Sequence, residues 1–205
     1  MGHRYDARDT DGADAVGAHT GSIPVTESVS RDGASAGSEE AGAALDSLMC
    51  TPIEEARAAS TLPRRDVPIG AAIYGPDGVL LASAGNRREA DEDPTAHAEI
   101  LALREAARVT GRWNLSGCTL AVTLEPCTMC AGAIVLARIE HVVVGAMDPK
   151  AGAAGSLYDL VREPRLNHRV RLTTGVRADE CGQLLIDFFR TLRKQRKTER
   201  TDPVT

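Results

Sequence analysis

Aromatic side chains are scarce in this sequence: two Phe, three Tyr and one Trp among 205 residues. A hydrophobic core must therefore be built from Ala, Val, Leu and Ile, for which a hydrophobic content of 42% leaves enough material. No apolar run approaches the ~18 residues of a membrane-spanning helix, which excludes a transmembrane anchor and a membrane partner. Met1 to Thr26 is polar and small and lacks the charged-then-apolar layout of a secretory leader. These absences predict a soluble, cytoplasmic protein. Cysteine is also sparse, and the five residues (Cys50, Cys118, Cys127, Cys130 and Cys181) are an odd number. An odd count without a leader speaks against a disulfide framework. In a reducing compartment, Cys127-x-x-Cys130 points instead to a metal or redox site.

Positive charge is in deficit overall, 24 Lys and Arg against 29 Asp and Glu, a net charge of −5. The deficit is confined to residues 1–44, which carry eight acidic side chains against three arginines. The rest of the chain is balanced, and Arg190 to Arg200 gathers six basic groups around the single acid Glu199. A basic end of this kind suits a polyanionic partner that the average charge would disfavour.

Residues 1–44 are rich in Gly, Ala, Ser, Asp and Thr and show no apolar period. Such a segment cannot bury enough surface to offset the entropy of ordering, so it is expected to be a disordered acidic extension. A folded domain over 45–197 and a short tail over 198–205 complete the chain. The first helix is predicted from Thr51 to Ala59, with Thr51 as N-cap, Pro52 at N1 and Glu54 at N3. Val67 to Tyr74 reads as a buried strand, Gly75 to Gly78 as a turn, and Val79 to Ser83 as the hairpin partner. Helical spacing runs from Thr95 to Val109 and ends at Gly111; a strand over Thr119 to Thr123 precedes an Ala-rich helix from Cys127 to Ile139. A β-branched strand, His141 to Gly145, is followed by an irregular stretch, Asp148 to Asn167, and a strand from Arg169 to Thr174. Ala178 to Lys197 forms a long amphipathic helix with Leu184, Leu185, Phe188, Phe189 and Leu192 on one side. Strands alternating with helices after an opening hairpin define an α/β layered domain.

Two segments carry chemistry: His97-Ala98-Glu99 and Pro126-Cys127-Thr128-Met129-Cys130, each at a predicted helix start. Imidazole and thiolate are good zinc ligands, and a catalytic zinc keeps three protein ligands and one open position for water. His97, Cys127 and Cys130 supply three. Cys127 and Cys130 share a helix face, and the positive end of the helix favours thiolate over thiol. Two thiolates cancel the metal's formal charge and leave its water less acidic, so such a site needs a nearby base, for which Glu99 is placed. His97 and Glu99 would lie about 200° apart around a regular helix. Both can serve one metal only if His97 stands at the very start, where the backbone is not yet regular, as the loop Asp93-Pro94-Thr95 suggests. A purely structural zinc site would show a fourth Cys or His; Cys118 is the nearest, but its place before a strand suits a core residue. Cys50 and Cys181 read as buried thiols or bystanders.

At these residues the sequence resembles the zinc nucleobase deaminases, whose signature is H-x-E followed by P-C-x-x-C. Val67-Pro68-Ile69-Gly70-Ala71, Asp93 to Ile100, Leu124 to Cys127, Asp148 to Leu157 (DPKAGAAGSL), Asn167-His168-Arg169-Val170, Ala178 to Cys181 and Asp187 to Arg190 carry it further. The zinc motif is shared by deaminases of several bases; the GAAGSL, NHRV and DFFR segments resemble the bacterial tRNA-specific adenosine deaminases. The likeness spans about residues 45–197. It implies a three-layer α/β/α fold of cytidine-deaminase type around a central five-stranded sheet. It also implies one Zn2+ per subunit on His97, Cys127 and Cys130, with Glu99 as the catalytic proton shuttle. Asn86 would hydrogen-bond the base, and Ala98 and Cys127 would offer backbone N–H groups near the reacting centre. Asp148, Lys150 and Phe189 would line an RNA groove. The implied protein is a homodimer with substrate contacts from the second subunit. It converts the wobble adenosine of a tRNA anticodon loop to inosine by hydrolysis. The acidic N-terminal extension has no counterpart in that family, and Pro63 cuts the first helix short. Two other functions fit part of the pattern. A deaminase of free guanine, cytosine or cytidine would need a closed pocket and no basic helix. A non-catalytic, zinc-stabilised RNA-binding module would have no use for Glu99.

Overall fold

Short segments rich in Ala, Val and Leu assemble into a five-stranded sheet in the computed structural model, which describes residues 36–201 and side chains from 40 to 198. The strands are β1 (Gly70–Tyr74), β2 (Leu80–Gly85), β3 (Thr119–Leu124), β4 (His141–Ala146) and β5 (Arg171–Thr174), in the order β2-β1-β3-β4-β5. β1 runs antiparallel to both β2 and β3, whereas β3, β4 and β5 are parallel. The helices are α1 (Ala36–Leu48), α2 (Cys50–Thr61), α3 (Ala98–Thr110), α4 (Thr128–Leu136) and α5 (Ala178–Thr201). Among the described residues no helix is long and apolar enough to cross a membrane.

Strand periodicity sorts the core into two halves. Ala71, Ile73, Leu120, Val122, Val142 and Val144 point to one face, against Ala98, Ala102 and Leu103 of α3 and Ala131 and Ile134 of α4. Ala72, Tyr74, Ala121 and Val143 point to the other, against Met49, Ile53 and Cys181. Helices therefore cover both faces, the three-layer arrangement that the resemblance implied. With almost no aromatic bulk, the layers meet through small residues. Gly70 and Gly85 are paired across the hairpin, and a Cβ on either would run into the backbone of α2, at the Pro52 carbonyl and the Glu55 carbonyl respectively. The first helix layer thus rests directly on the β1–β2 main chain.

The start of α2 differs from the sequence expectation. Thr51 is not an N-cap; it lies inside a helix that begins at Cys50, with Met49 as the flanking residue and no side-chain cap. The cause is Pro52. Lacking an N–H, it cannot donate to the carbonyl four residues back, Leu48, and its ring crowds that oxygen. The helical path breaks at Met49, and the released Leu48 carbonyl accepts the Tyr74 hydroxyl at 2.9 Å. The helix on the other side of the break, α1, opens at Ala36, inside the stretch expected to be unstructured through residue 44. Its alanines are strong helix formers, and Leu45 and Leu48 give it enough of an apolar edge to dock on the Met49–Tyr74 cluster. The remainder of that expectation, residues 1–35, and residues 202–205 lie outside the described residues.

Other boundaries shift less. β1 begins at Gly70 because Pro68 has no N–H for a ladder and the Ile69 amide turns back to the Val67 carbonyl at 2.8 Å. α4 stops at Leu136, ahead of Arg138 at φ 63°, and α5 continues four residues past Lys197 to Thr201.

Candidate active site

Two helices start side by side at the carboxyl end of β3. His97 is the residue flanking α3, with extended backbone at φ −74° and ψ 149°, and Glu99 follows in the first turn. This meets the geometric condition set by the two-residue spacing, because His97 is outside the regular helix. Cys127 flanks α4 in the same way, at φ −71° and ψ 176°, and Cys130 lies in its first turn. Pro126 directly precedes, fixing the chain where it leaves the strand.

The three ligand atoms form a near-equilateral triangle. His97 Nδ1 lies 3.7 Å from Cys127 Sγ and 3.5 Å from Cys130 Sγ, and the two sulfurs are 3.7 Å apart. A tetrahedral zinc with Zn–S ~2.3 Å and Zn–N ~2.0 Å would set these edges at about 3.8 Å for S···S and about 3.5 Å for S···N. The triangle fits one zinc ion and leaves a fourth position open. Donor chemistry agrees. Two sulfurs this close cannot both ionise without a cation between them. The hydrogen bond from Cys130 brings the Cys127 thiol down to about 3, while that same bond and burial push Cys130 up. A divalent cation resolves the conflict by stabilising both thiolates.

Glu99 is buried beside this triangle. Burial pushes its carboxyl up from the ordinary value; the Cys127 charge adds to the effect and the His97 imidazole opposes it. A carboxyl raised in this way holds a proton more readily than an exposed one, which suits a group that must both take up and give back a proton.

The other expected residues are distributed around this centre. Ala98 is buried and opens α3, so its amide is one that the helix cannot pair. Asn86, also buried, follows β2. Its neighbour Arg87 donates its amide to the Ala96 carbonyl at 3.0 Å, which lays Asn86 alongside the His97 segment. Asp148 and Lys150 sit in the loop after β4. The Asp148 carboxylate accepts the Lys150 amide at 2.9 Å and the Ala151 amide at 3.3 Å, shaping its own loop, and Lys150 is exposed. Phe189 does not pack under α5 as its place on the apolar side suggested: it is 43% exposed and meets the half-buried Phe188 edge-on at 5.4 Å. The two rings border a cleft of about 790 Å3 that Arg64, Arg65, Arg88 and Arg196 also line, with Glu92 paired to Arg64 and Glu89 paired to Arg88. The His97 imidazole is raised chiefly by its hydrogen bond with Cys127, and the charge of Arg88, one of the cleft residues, slightly opposes this.

Two acidic residues that matter to this site went unread in the sequence. Glu125, at the end of β3, is buried and accepts the amides of Asp148 at 2.8 Å, Ala154 at 2.9 Å and Ser156 at 2.9 Å, as well as the Ser156 hydroxyl. A side chain at Gly152 would collide with this carboxylate. Together with the bond from the Ala153 amide to the Pro126 carbonyl at 2.8 Å, these contacts stitch the 148–156 loop to the turn that carries Cys127. Asp66 is the second, buried against the Asn86 loop. The available signal was the same for both: an acid abutting an apolar strand must find partners when buried.

Residues 44–146 match the model of the cytidine and deoxycytidylate deaminase zinc-binding region. The tRNA-specific adenosine deaminase of Bacillus subtilis (strain 168) is 49% identical over 148 residues, covering 72% of this chain and 90% of the relative. Among solved structures, one from studies of A-to-I editing by tRNA:A34 deaminases at the wobble position of transfer RNA is 42% identical, with a TM-score of 0.64. It covers 68% of this chain and 99% of its own. A guanine deaminase from Nitrosomonas europaea is more distant, 26% identical with a TM-score of 0.60 over 70% of this chain and 83% of its own.

Proposed function

The chain belongs to the cytidine and deoxycytidylate deaminase zinc-binding family, and from that premise we propose that it deaminates the wobble adenosine of tRNA to inosine. The observation that carries the substrate choice is the cleft bordered by Phe188 and Phe189 and lined by four arginines, of which Arg64 and Arg88 pair with Glu92 and Glu89 on the same wall while Arg65 and Arg196 add positive charge. A free base calls for a small closed pocket; an RNA strand calls for cations for its phosphates and aromatic faces for its bases.

His97, Cys127 and Cys130 would hold a zinc ion, which when bound would supply a Lewis acid for activating a water molecule. The remaining chemistry belongs to Glu99. Its carboxylate accepts a proton from the attacking water and delivers it to N1 of adenine as the new C–O bond forms at C6. It then takes the proton of the new C6 hydroxyl and passes it to the departing amine, so that the C6–N bond breaks, ammonia leaves and the C6 carbonyl of inosine remains. A carboxyl pushed up by burial can act as both base and acid in one cycle. Asn86 holds the base, while the Ala98 and Cys127 amides face the reacting centre. Asp148, Lys150 and Phe189 border the path of the RNA. An unpaired anticodon-loop base costs less to unstack than one in a duplex, which favours that position.

The working form is a homodimer in the cytoplasm, where its tRNA substrate is found. Trp113 and Leu136 are 67% and 68% exposed, flanking a groove that Ile100, Leu103 and Ala133 also line on the outer side of α3 and α4. An apolar surface of this kind suits a second copy of the chain. The deciding experiment is mass-detected A-to-I conversion on bulk bacterial tRNA, run beside free adenosine, cytidine and guanine. Conversion confined to tRNA is expected; faster turnover of a free base or nucleoside would overturn the proposal.

A further inference from the structure

The two ends of a primary amide have nearly the same shape, so rotating the Asn86 side chain exchanges a carbonyl acceptor for an NH2 donor. What a substrate meets at Asn86 is decided by whatever holds the opposite end. That group is Asp66, which is fully buried. Its Oδ1 accepts Asn86 Nδ2 at 3.2 Å and the Glu89 amide at 2.9 Å, and its Oδ2 accepts the Ala90 amide at 3.0 Å. A carboxylate only accepts, so the nitrogen of Asn86 must turn toward it; the carbonyl would face another oxygen. Asp66 is itself pinned to the last turn of α2, where its amide donates to the Ala59 carbonyl at 3.2 Å. The root of Asn86 is fixed as well, its amide donating to the Ile69 carbonyl at 2.8 Å. No group among the described residues donates to Asn86 Oδ1, yet no fully buried side-chain oxygen or nitrogen among them lacks a partner. The oxygen therefore keeps contact with solvent and is the end left on offer.

Resting on the reading that Asn86 contacts the substrate, we infer that Asp66 is a positioning residue. It orients Asn86 so that Oδ1 is presented to a hydrogen-bond donor, an amine or hydroxyl, on the bound nucleoside. Its two backbone contacts hold the 86–90 loop, which the bond from the Arg87 amide to the Ala96 carbonyl ties to the segment preceding His97. Asp66 is not among the residues that would hold the metal, and its role is through the Asn86 amide. Replacing it with Asn puts an NH2 group in the pocket that can donate to Asn86 Oδ1, which turns the amide and exposes the wrong end.

The test is a double-mutant cycle on the zinc-loaded, full-length protein, with kcat and KM for tRNA deamination measured alongside zinc content and Tm. Asp66→Asn and Asn86→Ala are each expected to lower kcat/KM by about 10- to 100-fold, the usual range for a mismatched polar contact at a specificity site. The double variant should be no worse than Asn86→Ala alone, within about twofold, because Asp66 has nothing left to orient. Zinc content should hold throughout, and Asp66→Glu should recover most of the lost turnover. If Asp66→Asn does not fold, the same cycle is run with Asp66→Ser, which is expected to lower kcat/KM in the wild-type background and to add nothing beyond about twofold in the Asn86→Ala background. Losses that multiply in the double variant would overturn the inference while leaving the role of Asn86 intact. An unchanged kcat/KM in Asn86→Ala would remove the reading beneath it, and the inference with it.

Discussion

Glu125 and Ser156, separated by 31 residues in the chain, are joined twice, the Ser156 amide to Oε1 at 2.9 Å and the Ser156 hydroxyl to Oε2. With the Asp148 and Ala154 amides, they surround a buried carboxylate with donors. Burial alone would raise the Glu125 carboxyl, but the Ser156 hydroxyl and the three amides outweigh it and hold the group below its ordinary range. A lowered carboxyl contributes stability that is present in full above the ordinary carboxylate range and is lost as the pH falls through the lowered value. Glu125→Gln puts an NH2 against these donors and should cost about 2–4 kcal/mol. It should also flatten the acid limb of the stability profile and speed amide exchange over 148–156. Urea melts across pH 3–7 with hydrogen exchange would check this; an unchanged acid limb would refute the role of the carboxylate.

Zinc should be found at one ion per chain, and either Cys127→Ser or Cys130→Ser should abolish it, because a tetrahedral site with two protein ligands binds weakly. Metal analysis by mass spectrometry reads the outcome directly. Full retention in both variants would place the metal elsewhere.

Glu99→Ala should keep zinc and tRNA binding and lose at least ~100-fold in kcat, since only the proton path is removed. A smaller loss would transfer the proton role to another group, and weight would return to a non-catalytic RNA-binding module.

The basic end of α5 should set the salt dependence of tRNA binding. Replacing Arg193, Lys194, Arg196 and Lys197 with Gln keeps helix propensity and removes charge. If each contacts a phosphate, the slope of log affinity against log salt should flatten by up to about 3 units, at ~0.7–0.9 per phosphate. Binding isotherms at several salt concentrations would decide it; an unaltered slope would take α5 off the RNA path.

The residues that announce themselves in the sequence are those whose chemistry is rare. A His and two Cys at helix-start spacing are legible because few other arrangements use those side chains together, and the order of strands and helices follows from apolar period. Asn86 was accessible only through family resemblance, since an Asn after a strand has many meanings. Glu125 and Asp66 stayed invisible because their partners are main-chain amides of the 148–156 and 86–90 loops, which no residue type marks. Thr51 misled for a different reason: Ser, Thr or Asp before Pro is a good helix-start signal. In this chain, though, Pro52 breaks a helical path that had already begun at Ala36. Alanine-rich α1 was hidden by a composition that, without a stronger apolar stripe, reads as a flexible tail.

The separation of the metal ligands has a bearing on how the protein acquires its metal. His97 and Cys127 are 30 residues apart, and closing a loop of that length in a free chain costs about 3–4 kcal/mol in entropy. Small zinc modules leave that cost to the ion and unravel when it is removed. In this protein β3 pairs with β1 and β4, and α3 and α4 share one buried cluster, so the closure is already met by the sheet and core. The ion's binding energy is then left over for affinity. A chelator should strip the zinc and leave a folded protein that regains it on the timescale of diffusion, without passing through an unfolded chain.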